Sequence, residues 1–164
     1  MTEKWLTGPV PGIEPLLMPV AHAFLQVRDD VRRTLEGLSS DGLWKAVGDS
    51  ATIGFHALHI AGATDRLLTY ARGEPLSEAQ VVAARQESRV DGLDAEALAA
   101  RIEQTVDAAL EQIRRTPASI LTTPREVGRL RLPSTVIGLL FHAAEHATRH
   151  AGQMATLRRI TGQR

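Results

Sequence analysis

The segment STVIGLLFHAAEHATRHAGQMATLRRI, residues 134–160, carries a continuous helical pattern and half of the chain's six histidines. Its apolar residues recur at three- and four-residue steps, the spacing of one face of an α-helix. We predict a helix that begins after Pro133 with Ser134 as its N-cap, runs to about Ile160 and stops at Gly162. The residues of its apolar face are Val136, Leu139, Ala143, Ala147, Met154 and Leu157.

Three earlier segments show the same periodicity, and Gly, Pro and Ser cluster between them. Four amphipathic helices of about 20 residues each predict an all-α fold, a four-helix bundle. A helical solenoid is the poorer alternative, because no period recurs along the chain. The three segments run from about Glu14 to Leu38, from about Thr52 to Ala71 and from about Asp94 to Arg115.

The connections between the predicted helices are long. The one from Gly73 to Gly92 is long enough to be a crossover of the bundle, and it has room for a short helical piece. Strand signals are poor, because the stretch from Thr122 to Leu132 is broken by Pro124 and Gly128. We therefore interpret that stretch as a connection too, and we predict that residues 1–164 form a single domain.

Composition excludes several classes of protein. The chain has 19 basic and 19 acidic residues, so it lacks the basic excess that is typical of a nucleic-acid binder. No apolar run is long enough for a transmembrane helix, and the segment Met1–Trp5 does not begin a signal peptide, so we expect a cytoplasmic protein without a membrane partner. Cysteine is absent, so a metal site must use imidazole, carboxylate or water.

The histidines of the last segment fall at four-residue spacing: His142, His146 and His150. Neighbours in this series are offset by about 40° around a helix and lie one turn apart, so two of them can reach one metal ion. A third ligand must come from another helix, and the second segment offers His56 and His59. Three histidines that leave other positions open are typical of a catalytic rather than a structural metal site.

A simpler reading assigns histidines to packing or to the surface, and we keep it for His22. Glu145 neighbours His146 in sequence but points about 100° away from it, which favours a surface position or a supporting position beside the metal site over a role as ligand. Asp65 and Arg66 lie off the apolar face of the second helix. We expect them on a solvated face, or Arg66 at the border of a pocket.

Two stretches of the chain resemble the DinB/YfiT-like family: LHIAGATDRLLTYARG at residues 58–73 and HATRHAGQ at residues 146–153. The resemblance implies a four-helix bundle in which the second helix gives one histidine ligand and the last helix gives an HxxxH pair. It thus implies a divalent metal held by His59, His146 and His150. We expect Zn(II) or Ni(II), with Fe(II) or Mn(II) as alternatives, because neutral imidazoles fit all four ions. His56 and His142 do not match the ligand positions and are candidates to line the site.

The resemblance also implies a function, because characterised relatives use low-molecular-weight thiols such as bacillithiol or mycothiol. Our first hypothesis is a metal-dependent thiol S-transferase that joins a small-molecule thiol to an electrophilic substrate. In it, His142, His56 or Gln153 orients the substrate or moves a proton. Metal-assisted hydrolysis is an alternative, but it lacks a glutamate placed as in HExxH. A non-catalytic, stress-related metal-binding protein is another, and the family also implies that a homodimer can form.

Overall fold

The computed structural model describes residues 2–88 and 92–162, and in these ranges it is mostly helical. Four long helices form the bundle, so the predicted all-α four-helix fold is confirmed. A shorter helix, α4, lies in the connection between the second and third long helices, where a helical piece was expected. The helices are α1 Met18–Leu35, α2 Ser40–Trp44, α3 Ile53–Arg72, α4 Glu78–Gln86, α5 Ala95–Arg114 and α6 Val136–Ile160.

The first long helix is shorter than its apolar pattern predicts. Residues Pro15–Leu17 form a 3-10 turn, and α1 begins only at Met18. At the other end, Gly37 adopts a φ of 66°, a left-handed conformation that an α-helix cannot continue. The prediction of a helix over Glu14 to Leu38 is therefore correct in type and too long at both ends.

The N-cap of the last helix lies one residue later than predicted. The side chain of Thr135 accepts a hydrogen bond from the backbone N–H of Gly138 at 3.1 Å, so Thr135 is the N-cap. The predicted cap, Ser134, was therefore one residue too early: it lies before Thr135 in the chain, opposite Arg125 of the neighbouring strand. The helix ends at Ile160, close to Gly162, as predicted.

Strand β1, Pro124–Val127, and strand β2, Leu132–Thr135, form an antiparallel hairpin. The interpretation of residues 122–132 as a plain connection was wrong. Both residues that argued against a strand occupy positions where a hairpin tolerates them. Pro124 is the first residue of β1, and Gly128 follows the strand in the turn with a φ of 68°.

The core of the bundle is aliphatic, and its packing brings α3 and α6 together. Helix α6 packs between α1 and α3, and α5 contacts the same two helices from the other side. Small residues let α6 approach its neighbours closely, because their side chains occupy little space. These are the buried Ala143, Ala144, Ala147 and Ala151. Among the described residues, no helix is both long and apolar enough to span a bilayer.

Candidate metal centre

The structure brings together the three histidines that were predicted as ligands. His59 extends from α3, while His146 and His150 extend from successive turns of α6. One ring nitrogen of each lies within 4.8 Å of the other two, and all three side chains are half-buried. The Nε2 atoms of His59 and His146 are 2.9 Å apart. Among the residues described, these three form the group that could hold a metal ion.

The chemistry of this donor set fits a divalent metal. Two nitrogens that each lie about 2.1 Å from one tetrahedral ion are about 3.4 Å apart, so the 2.9 Å between Nε2 of His59 and Nε2 of His146 is within about half an ångström of the spacing that a shared ion needs. Burial lowers the pKa of His146, and it lowers the pKa of His150 to about 4, with repulsion from neighbouring histidines adding to both shifts. These two imidazoles are therefore neutral at pH 7 and able to bind a cation.

A buried carboxylate, absent from the sequence-based predictions, contacts the first of these histidines. Glu87 directly follows α4 and is only 9% exposed. Its Oε2 lies 2.7 Å from Nδ1 of His59, and its Oε1 accepts a hydrogen bond from Arg66. Burial opposes ionisation of Glu87, but the hydrogen bonds from His59 and Arg66 outweigh it and lower the pKa of the carboxyl.

A glycine in α3 makes room for this carboxylate. A Cβ atom at Gly62 would lie 2.2 Å from Oε1 of Glu87 and 2.9 Å from Nη1 of Arg66. Gly62 lies inside the stretch that resembles the family, three residues after His59. A glycine in the middle of a helix is unfavourable. Gly62 was therefore the sequence signal that another side chain packs closely against this turn of α3.

The fourth histidine at the centre is His56, which is buried at 6% exposure. Its Nδ1 lies 2.8 Å from Nδ1 of His150. Burial, with repulsion from His59, lowers the pKa of His56. Phe55 also borders the centre, with its ring 10° from parallel to the ring of His59 and 5.4 Å between centroids. His56 thus contacts a candidate ligand, and Phe55 gives the centre an apolar wall.

Two of the three residues proposed to act on the substrate, His142 and Gln153, lie on the exposed side of α6. His142 is one turn before His146, with 5.4 Å between the ring centroids, and its Nδ1 is 3.4 Å from Oε2 of Glu145. Gln153 is exposed as well. Neither belongs to the three-histidine group. Their roles toward a substrate stay predictions.

Glu145 lies at the surface, as its helix angle suggested. Both of its oxygens accept hydrogen bonds from Arg149, which holds the pKa of the carboxyl below its usual value. The half-buried His22 contacts the backbone oxygen of Gly8 at 2.9 Å and lies outside the three-histidine group. Arg66 does border a cavity of about 440 Å³ between α3, α4 and α5, and Asp65 lines it too. The three histidines are not among the residues that line this cavity.

The fold and the site together define a class of protein: a four-helix bundle with a three-histidine centre suited to a divalent metal. The model of the DinB superfamily matches residues 23–154, and the chain belongs to this superfamily. A solved structure of a DinB-like protein from Bacillus cereus ATCC 10987 is similar in fold, with a TM-score of 0.64 and 22% identity over 85% of this chain and 91% of that one. No curated protein matches the chain.

Proposed function

We propose that this protein is a divalent-metal-dependent enzyme that transfers a low-molecular-weight thiol to an electrophilic substrate. The observation that carries the proposal is the group of three imidazoles, His59, His146 and His150, in a chain that contains no cysteine. Such a chain must take a sulfur nucleophile from a substrate. We propose Zn(II) or Ni(II) as the metal, with Fe(II) or Mn(II) as alternatives.

The metal, when bound, would supply a positive charge that favours the thiolate form of the incoming thiol. Residues of the chain supply the remaining functions. We assign the thiol's proton to His142, which is exposed beside His146 and has Glu145 near its Nδ1. The sulfur then forms a bond to the electrophilic carbon as the bond to the leaving group breaks. The leaving group departs with that electron pair and receives the proton from His142.

Hydrolysis at the same centre is the weaker candidate. Metal-assisted hydrolases of the HExxH kind use a glutamate beside the metal as the general base that activates water. Glu145 is the acidic residue nearest in sequence to the last-helix pair, and its oxygens are bound to Arg149. Glu87 is occupied by His59 and Arg66. Both carboxylates therefore already have partners other than a nucleophilic water.

The proposal can be tested in two stages. Elemental analysis of protein purified without a nickel column should find about one equivalent of metal in the wild type and almost none in His146→Ala. A screen of bacillithiol, mycothiol and glutathione with a fluorogenic electrophile should then show metal-dependent thiol consumption. Metal binding without turnover of any thiol would favour a non-catalytic metal-binding protein. Equal, low metal content in both proteins would overturn the metal site itself.

A further inference from the structure

The hydrogen bond between Glu87 and His59 determines which nitrogen of His59 carries the proton. An ionised carboxylate only accepts hydrogen bonds, so Nδ1 of His59 must be the donor to Oε2 of Glu87 at 2.7 Å. In a neutral imidazole the other nitrogen then bears the lone pair. That nitrogen, Nε2, is the one that lies 2.9 Å from Nε2 of His146.

The position of Glu87 depends on polar contacts rather than on a hydrophobic interface. Helix α4, which precedes it, buries none of its nine residues. A capping box of Ser77 and Gln80 starts the helix, and the amide of Gln80 donates to Asp65 of α3 at 2.7 Å. At the other end of α4, the carboxylate fits over Gly62 and pairs with Arg66.

We propose that Glu87 is a positioning residue of the metal centre: it holds His59 in the tautomer and orientation that present Nε2 to the ion. Arg66 keeps the Glu87 carboxylate charged and oriented toward His59, and Gly62 provides the space that the carboxylate occupies. Partners of this kind on a ligating histidine change metal affinity by about 10–100-fold. The inference rests on the metal site of the proposed function, but not on the thiol reaction.

Two variants disturb this contact in different ways. Glu87→Gln removes the charge and nearly preserves the shape of the side chain. Gly62→Ala leaves all charges in place and displaces the carboxylate, because the new Cβ would lie 2.2 Å from Oε1 of Glu87. Alanine has a higher helix propensity than glycine, so a loss of metal affinity in Gly62→Ala would not come from a less stable α3. Glu78→Gln is the matched control, since it removes the same charge from an exposed position of α4.

The first measurement is the affinity for Zn(II), by competition of the metal-free proteins with a chromophoric chelator. We expect Glu87→Gln and Gly62→Ala to bind Zn(II) about 10–100-fold more weakly than the wild type, and Glu78→Gln to stay within about twofold. Thermal unfolding of the metal-free proteins shows whether each variant is folded. Wild-type affinity in both Glu87→Gln and Gly62→Ala would overturn the inference.

The second measurement is the tautomer of His59, from ¹⁵N NMR of the metal-free proteins with a His59→Gln spectrum for assignment. We expect the proton on Nδ1 in the wild type and in Glu78→Gln, and a substantial population with the proton on Nε2 in Gly62→Ala. An unchanged tautomer in Gly62→Ala would contradict the role of Glu87. A wild type that bound no Zn(II) would overturn the proposed metal site, and the NMR comparison would still decide whether Glu87 fixes His59.

Discussion

Nδ1 of His56 lies 2.8 Å from Nδ1 of His150, so two imidazoles on different helices share one hydrogen bond. Of the two facing nitrogens, one must carry a proton and the other a lone pair. If His150 binds a metal through Nε2, its Nδ1 is the donor and His56 the acceptor. His56 would then hold His150 in place as Glu87 holds His59. Helix α3 and helix α6 would each carry one ligand that is fixed by a hydrogen bond to a neighbouring side chain.

Replacing His56 should weaken the centre without removing a ligand. In His56→Leu the Nδ1 of the half-buried His150 loses its hydrogen-bond partner, which should cost about 1 kcal/mol of unfolding free energy and about 10-fold or more in Zn(II) affinity. Chemical denaturation and chelator competition measure the two effects. His22→Gln, a change at a histidine outside the three-histidine group, is the control. An affinity equal to that of the wild type would show that His150 needs no partner.

The neighbouring histidines of α6 should separate metal binding from catalysis. His146→Ala should contain less than about one tenth of an equivalent of metal, because two ligands hold an ion far more weakly than three. His142→Ala should keep its metal, since His142 lies outside the three-histidine group. Its kcat/KM for thiol transfer should fall about 100-fold if His142 moves the proton. Loss of metal from His142→Ala would instead make it a ligand.

The start of α6 offers a test that does not involve the metal. Thr135→Ala removes the side chain that accepts from the N–H of Gly138 and should lower the unfolding free energy by about 1 kcal/mol. Ser134→Ala should cost less than about 0.5 kcal/mol, because Ser134 lies in β2 before the cap. Urea denaturation of the two variants measures the difference. A larger loss in Ser134→Ala would mean that the helix begins one residue earlier.

The parts of this protein that could be predicted from sequence are those that depend on local spacing. Helical periodicity located the four long helices, and the four-residue step from His146 to His150 placed two candidate ligands on one face of α6. The choice of His59 over His56 did not follow from spacing, since both occur in the second helix. It came from the resemblance to a family.

The missed features depend on contacts between distant residues. Glu87 meets His59 across 28 positions of sequence, and it lies in a connection whose path no periodic pattern fixes. The hairpin depends on the pairing of Pro124 with Thr135, and four residues per strand are too few to show a recognisable alternation of buried and exposed positions. The local sequence signal for Glu87 was Gly62, an unfavourable residue in the middle of α3 that leaves room for the carboxylate.

Acid should act on the centre in two ways, and the sign of each follows from the pKa of His150. That pKa lies near 4 in the folded, metal-free protein, below the ordinary histidine value of 6.5 that the unfolded chain should show. Between these values the unfolded chain binds more protons than the folded one. The contribution of His150 to the free energy of unfolding is therefore fully present above about pH 6.5 and is lost as the pH falls toward 4. Protons also compete with the metal for the same nitrogens, so we expect release between about pH 6 and pH 4.

Calorimetry of the metal-free protein and elemental analysis after equilibration at each pH would measure these effects. The melting temperature of the wild type should fall between pH 7 and pH 4.5, and the fall should be smaller in His150→Gln, which cannot take up the proton. His22→Gln should behave as the wild type, because His22 lies outside the centre. A full equivalent of metal at pH 4 would argue against an all-histidine ligand set, because protonated imidazole cannot bind a cation.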